Sequence, residues 1–168
     1  MANHLYSSDQ KGSYLLLFRL EEDQSHITIG KLGTFDFVAG CYLYVGSAFG
    51  SGGLAARLRH HQKRHKPRPH WHIDYLRPHL QLTEIWVIAG PLKLEHSWCR
   101  ALTNIPDTTI PVPRFGASDS TCAAHLFYRQ KRPSTSNLFD ALFDSVPFDH
   151  PNAQNLSIEV HPHQETAS

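Results

Sequence analysis

Gly40–Cys41–Tyr42–Leu43–Tyr44–Val45–Gly46–Ser47–Ala48–Phe49–Gly50–Ser51–Gly52–Gly53–Leu54–Ala55–Ala56–Arg57–Leu58 is the stretch that decides the fold. Its opening, Gly40 to Val45, is rich in aromatic and branched side chains and predicts a strand. Gly46 to Gly53 then holds four glycines among Ser, Ala and Phe, a loop whose backbone can come close to a ligand. From Leu54 the texture turns helical. Leu54, Ala55 and Leu58 form an apolar stripe, and Arg57, His61 and Arg64 fall together on a neighbouring face. Pro67 and Pro69 end that helix.

Upstream, Ser13 to Phe18 is an apolar run short enough for a buried strand. His26 to Gly30 and Thr34 to Phe37 alternate as half-buried strands do. With Gly40 to Val45 these pieces predict a meander of neighbouring antiparallel strands. Downstream, His70 to Leu76 predicts a short helix stopped before Pro78. Thr83 to Ala89 predicts a strand with Ile85, Val87 and Ala89 on one side. Leu94, Trp98 and Leu102 mark a third helix with Glu95 beside the stripe. Cys122 to Tyr128 fits a short helix or a strand. The expected fold class is α/β of the α+β kind, a small central antiparallel or mixed sheet flanked by helices. The domain runs from 12 to 128, and 129–168 is a polar, acidic tail, partly disordered. Within it, Leu138–Phe139 and Leu142–Phe143 suit one amphipathic turn docked on the domain. From about Asp149 no fixed structure is expected.

A chain of 168 residues, 40% of them hydrophobic, suits one domain with one core. It has no run of eighteen apolar residues and no apolar stretch in Met1 to Lys11, so a cytoplasmic protein is expected. Cys41, Cys99 and Cys122 stand far apart and form no CxxC pair, which argues against a disulfide framework. The net charge of +1 conceals an asymmetry. Between Leu54 and Leu80 stand Arg57, Arg59, Lys63, Arg64, Lys66, Arg68 and Arg77, with Asp74 as the sole acid. After Arg132 there is no Lys or Arg. A concentrated basic stretch is the footprint of a phosphate-backbone partner. Read alone, it also fits a solvated basic helix that binds nothing.

The strongest signal is an ordered set: Gly12–Ser13–Tyr14, then Tyr44–Val45–Gly46, a glycine loop, Leu54–Ala55–Ala56–Arg57, and Glu95 at the start of a helix. This order resembles the GIY-YIG nucleases. Tyr44 to Ala48, Gly52 to Leu54, Arg57, His70 to Leu76 and Phe115 to Asp119 resemble more closely one prokaryotic subfamily with YVGSA, GGL, HWHIDYL and FGxSD motifs. The resemblance covers about Gly12 to Tyr128. It implies a metal-dependent endonuclease that hydrolyses phosphodiester bonds of DNA. Fusion of some relatives to a base-excision enzyme implies a repair or processing context. It also implies a role for each matching residue. Tyr44 acts as the general base or helps form it, its phenolate favoured by nearby cations. Tyr14 orients Tyr44 or touches phosphate. Arg57 sits over the phosphate, and Glu95 holds one Mg²⁺ or Mn²⁺. His72 assists the base or touches phosphate. Ser47, Arg59, His61, Lys63, Arg64, Lys66, Arg68 and His70 are the expected nucleic-acid contacts.

The chain departs from the family in places. Ser13 and Val45 replace isoleucines at positions read as mainly packing. Ser47 stands where many members carry lysine, and Ser120 where subfamily relatives often carry cysteine. The longer gap from Tyr14 to Tyr44 predicts an added hairpin at about Ile27 to Phe37. Taken singly, Tyr14 and Tyr44 suit core aromatics, Arg57 a surface arginine, and Glu95 a first-turn acid. Two other readings stand beside the nuclease. One is a nucleic-acid-binding module without cleavage, using the same basic helix. The other is a zinc-stabilised interaction protein with ligands His70, His72, Cys122 and His125.

Overall fold

The computed structural model describes residues 5–118, 120–153 and 155–165. Asp119, the last residue of the late Phe-Gly-x-Ser-Asp motif, lies outside them. The architecture is α+β: a five-stranded antiparallel sheet, a separate two-stranded sheet and four helices. The strands are β1 (Gly12–Leu20), β2 (Gln24–Ile29), β3 (Gly33–Phe37), β4 (Gly40–Ser47), β5 (Gln81–Ala89), β6 (Leu126–Arg129) and β7 (Glu159–Pro162). The helices are α1 (Gly53–Gln62), α2 (His72–Leu76), α3 (Glu95–Thr103) and α4 (Thr135–Asp144).

The main sheet runs β6-β4-β1-β5-β7. Strand β1 lies at its centre because it is apolar on both faces, and the period of two sends alternate residues to different cores. Tyr14, Leu16, Phe18 and Leu20 join Tyr42, Tyr44, Leu54, Leu58, Ile73 and Leu76 on the side of α1 and α2. Leu15 and Leu17 join Leu43, Val45, Trp86, Trp98, Leu102, Leu138 and Leu142 on the side of α3 and α4. Each large apolar side chain so enclosed contributes about 1.5–3 kcal/mol. The sheet is therefore sandwiched between two helical layers.

Two expectations are corrected. The first four strands are not one meander: β2 pairs only with β3, and β1 pairs with β4 and β5. Polar residues on the outer face of β2 and β3 leave that hairpin only one side to bury, so it leaves the main sheet and packs Ile29 and Phe37 on the first core. The segment after Asp149 is also not without structure. Glu159 to Pro162 form β7 on the free edge of β5, pairing Trp86 with Val160 and Val87 with Glu159. An open edge supplies unpaired backbone groups that even a polar segment can satisfy. The Leu138 and Leu142 pair docks as expected, within a full helix α4 whose N-cap Ser134 accepts the Asn137 N–H. Of Cys122 to Tyr128, the part from Leu126 is strand: Leu126–Arg129 pairs antiparallel with β4, Tyr42 opposite Tyr128, and the residues before it are irregular. Among the described residues, no helix is long and apolar enough to cross a membrane.

Candidate active site

Tyr14 and Tyr44 stand on adjacent strands and on the same face. Tyr14 is paired with Gly46 and Leu16 with Tyr44, so the two tyrosines are diagonal neighbours. Gly46 makes this possible. A Cβ there would lie 2.3 Å from the Tyr14 Cζ and hydroxyl oxygen, so the phenol lies across the bare glycine. Close to the same place the glycine loop is tied down. Lys11 Nζ donates to the Gly50 carbonyl at 2.8 Å, Ala48 N donates to the Gly12 carbonyl, and Leu54 N to the Gln10 carbonyl. Gly53 has φ +57° and a Cβ would meet the Gln10 carbonyl oxygen at 2.3 Å, so glycine is required where α1 begins.

Helix α1 then delivers two residues. His61 lies on the stripe of Leu54 and Leu58 and is buried; its Nε2 shares a 2.8 Å hydrogen bond with the Tyr14 hydroxyl. The Tyr44 ring packs edge-on against the same imidazole at 5.7 Å. Among the described residues, His61 Nδ1 has no hydrogen-bond partner. Burial lowers the His61 pKa well below its usual value, with the charges of His60 and Lys66 adding to the effect. Arg57 lays its guanidinium over the Trp71 ring, 4.3 Å from the centroid. Trp71 is held in turn by Asp74. That carboxylate accepts the N–H groups of Trp71 and His70, and pairs with His60 Nε2 at 2.9 Å and Lys66 Nζ at 3.1 Å. Burial alone pushes the Asp74 pKa up, but those two N–H groups, Lys66 and His60 outweigh it, and the net shift is downward.

Glu95 opens α3 on the far side of the tyrosines. The Ser13 hydroxyl, buried, accepts the Leu94 N–H at 3.0 Å and fixes the start of that helix. The middle residue of the first motif is thus an anchor as well as packing, which corrects the expectation. Glu95 Oε2 accepts from the Ser47 hydroxyl at 3.2 Å, and Oε1 lies 3.1 Å from His125 Nδ1. A third of the Glu95 side chain stays exposed. Both phenols feel its charge. Burial raises the Tyr14 pKa well above the ordinary phenol; Arg57 opposes this and Glu95 adds to it. Tyr44 is raised as well, by burial first and then by Tyr14, Glu95 and Asp74, against Arg57. Within the protein alone, desolvation exceeds the help that Arg57 gives a Tyr44 phenolate, so the expected phenolate needs the further positive charge of a cation at Glu95.

The site thus brings together Tyr14, Tyr44, Arg57, Glu95 and Ser47, and adds His61. His72 stands to one side. Its Nδ1 accepts the Gly116 N–H at 2.9 Å, and its ring meets Phe115. A Cβ on Gly116 would lie 3.4 Å from the Tyr44 ring, so His72 holds the backbone that covers Tyr44. Burial lowers the His72 pKa.

Of the expected nucleic-acid contacts, Arg59, Lys63, Arg68 and His70 are exposed. Three are not free to make surface contacts. His61 is enclosed, the Lys66 side chain is only 6% exposed and paired with Asp74, and Arg64 donates to the Pro78 carbonyl. The hydrophobic stripe explains the first, since His61 follows Leu54 and Leu58 at helical spacing and could have been read as inward. Asp74, Ser13 and His125 escape sequence reasoning as parts of this site because only the tertiary fold gives them partners there. The alternative zinc set does not assemble: Cys122 and His125 come together with Cys99, not with His70 and His72. A cavity of about 660 Å³ lies at the other end of β1 beside Phe18, Glu84 and Arg132 and contains none of the site residues.

No curated protein and no solved structure matches this chain. A family model does match residues 13–147, from the first motif to beyond α4, and the chain belongs to that family, described as domain of unknown function DUF123.

Proposed function

We propose that this protein is a metal-dependent endonuclease of the GIY-YIG type that hydrolyses phosphodiester bonds of DNA. The observation that carries the reading is the convergence of Tyr14, Tyr44, His61, Arg57 and Glu95 at the mouth of the glycine loop. A packing role accounts for two buried strand tyrosines. It does not account for a phenol–imidazole bond facing an arginine and a carboxylate that stays one third exposed.

The donor set suits a hard cation. Glu95 offers carboxylate oxygens and is open to solvent, leaving other positions to water and phosphate oxygens, as Mg²⁺ or Mn²⁺ prefers. When bound there, the cation supplies positive charge to the phosphate and the leaving oxygen. The rest falls to the chain. Arg57, held flat by Trp71, presents its fork to the non-bridging oxygens. Burial favours the neutral form of both phenols, which offer hydrogen bonds, while Arg57 works toward phenolate. Tyr14 takes a proton from the attacking water as it passes its own to His61 Nε2; the imidazole is neutral and has a lone pair for it, and the charge of Asp74 offsets part of what burial costs the imidazolium. Tyr44 orients that water. His72 acts through Gly116, keeping the cover over Tyr44. The exposed Arg59, Lys63 and Arg68 lead the nucleic-acid backbone toward Arg57.

A panel of labelled single-stranded, duplex, nicked and branched DNA, with matching RNA, tests this with Mg²⁺ or Mn²⁺. Cleavage is expected on at least one DNA form, abolished by EDTA and reduced at least 100-fold in Glu95→Ala and Arg57→Ala. Binding without cleavage across the whole panel would instead identify a non-catalytic nucleic-acid-binding module.

A further inference from the structure

Behind Glu95 lies a second cluster that the proposed hydrolysis does not use. Helix α3 carries His96 and Cys99, three apart and therefore on one face. The segment entering β6 carries Cys122 and His125, again three apart. The order His-x2-Cys and Cys-x2-His, with the two halves brought together by the fold, resembles the paired spacing of zinc ligands.

The distances agree with that spacing. Ligand atoms of Cys99, Cys122 and His125 all lie within 4.8 Å of one another; His96 is outside that group, meets it at Cys122, and has to turn inward to complete the set. Cys99 Sγ is 3.7 Å from His125 Nδ1, and Cys122 Sγ is 3.2 Å from His96 Nδ1. In a tetrahedral zinc site with Zn–S near 2.3 Å and Zn–N near 2.0 Å, adjacent S and N ligands stand roughly 3.5 Å apart. Cys99 and His125 are buried, Cys122 is partly buried and His96 is exposed, so the cluster has a closed floor and an open rim. A cavity of 180 Å³ lined by His96, Cys99, Thr121 and Cys122 leads to it.

We propose that Cys99, Cys122, His125 and His96 form a structural site for a zinc-class transition-metal ion. Two thiolates balance the charge of a dication, and the two neutral imidazoles complete four-coordination; each thiol gives up one proton on binding. Metal on His125 Nδ1 replaces the hydrogen bond to Glu95, which keeps its bond from Ser47. The site would staple the long segment between α3 and β6, which has no helix or strand among the described residues, back onto α3. It is thereby a different centre from the oxygen-ligand site at Glu95, and it does not depend on any hydrolytic activity.

Titration of the reduced, metal-free full chain with Co²⁺ alone tests the site. One equivalent is expected to give thiolate-to-cobalt charge-transfer absorption and the intense visible bands of tetrahedral Co²⁺, both bleached by Zn²⁺. Cys122→Ser, at a partly exposed position, should stay folded by circular dichroism and lose about half the charge-transfer intensity. His96→Ala should keep the charge transfer and weaken binding 10- to 100-fold. The proposal is overturned if the folded intact chain gives no charge-transfer absorption, or if Cys122→Ser gives the same spectrum as the parent.

Discussion

At the scale of single residues, the account rests on a phenol crossing a glycine to reach an imidazole. Gly46→Ala should displace the Tyr14 ring and cost about 1–3 kcal/mol, the usual effect of overpacking a filled site. Urea denaturation reads the loss. An unchanged midpoint would mean the ring lies elsewhere. His61 sets a pH dependence as well. Its pKa is lower when folded than when unfolded, so between those two values the unfolded chain binds the extra proton. Its contribution to stability is therefore complete above the ordinary histidine value of 6.5 and is lost as pH falls below it. One such proton gives a slope of up to about 1.4 kcal/mol per pH unit. His60, His72 and His79 are shifted the same way and add to it. Comparing urea midpoints from pH 7.5 down to 5 should show a steeper fall in the parent than in His61→Gln. Equal slopes would exclude His61 as a buried neutral base.

Among the elements, α1, α3 and β7 each make a separate demand. Helix α1 is legible in its position and apolar stripe, but it ends at Gln62, before Arg64 and well short of Pro67, and it carries His61 inward. Tyr14, Tyr44, Arg57 and Glu95 are equally visible, since each sits in a motif that fixes its chain position relative to the others. Partners made by the fold are not visible in this way. Nothing local tells that Ser13 will meet Leu94, or that Asp74 will gather His60, Lys66 and two backbone N–H groups. The tail misleads for a related reason. Its polarity is real, but an unpaired edge of β5 and a buried cation wait for it: Arg77, wholly enclosed, pairs with Glu165 and donates to the carbonyls of His61 and Leu80. Glu165→Ala should leave that guanidinium short of its counter-ion and lower stability by about 1–3 kcal/mol. Thermal melting measures it, and a melting temperature equal to the parent's would show that the tail is dispensable.

For the whole molecule, a near-neutral total hides a basic stretch only part of which is exposed. Arg59, Lys63 and Arg68 are exposed, while Lys66 and Arg77 are spent inside the protein on Asp74 and Glu165. Counting charges along the chain therefore overstates the exposed positive charge. Removing one cation that neutralises a phosphate should reduce the slope of log K against log salt by about 0.9 on duplex DNA. Replacing Arg59, Lys63 and Arg68 together by alanine should thus lower that slope by about 3, whereas Lys66→Ala should act on stability instead. Binding measured across a range of KCl concentrations decides between these. The central claim is narrower: that Tyr14, Tyr44, His61 and Arg57 serve one hydrolytic step whose cation is held by Glu95. The most direct measurement is the single-turnover rate of phosphodiester cleavage at saturating protein and Mg²⁺, for the parent and for Glu95→Gln, with DNA affinity measured alongside. A fall of at least 100-fold in rate with affinity within about threefold is the predicted result. An equal rate in the two proteins would contradict it.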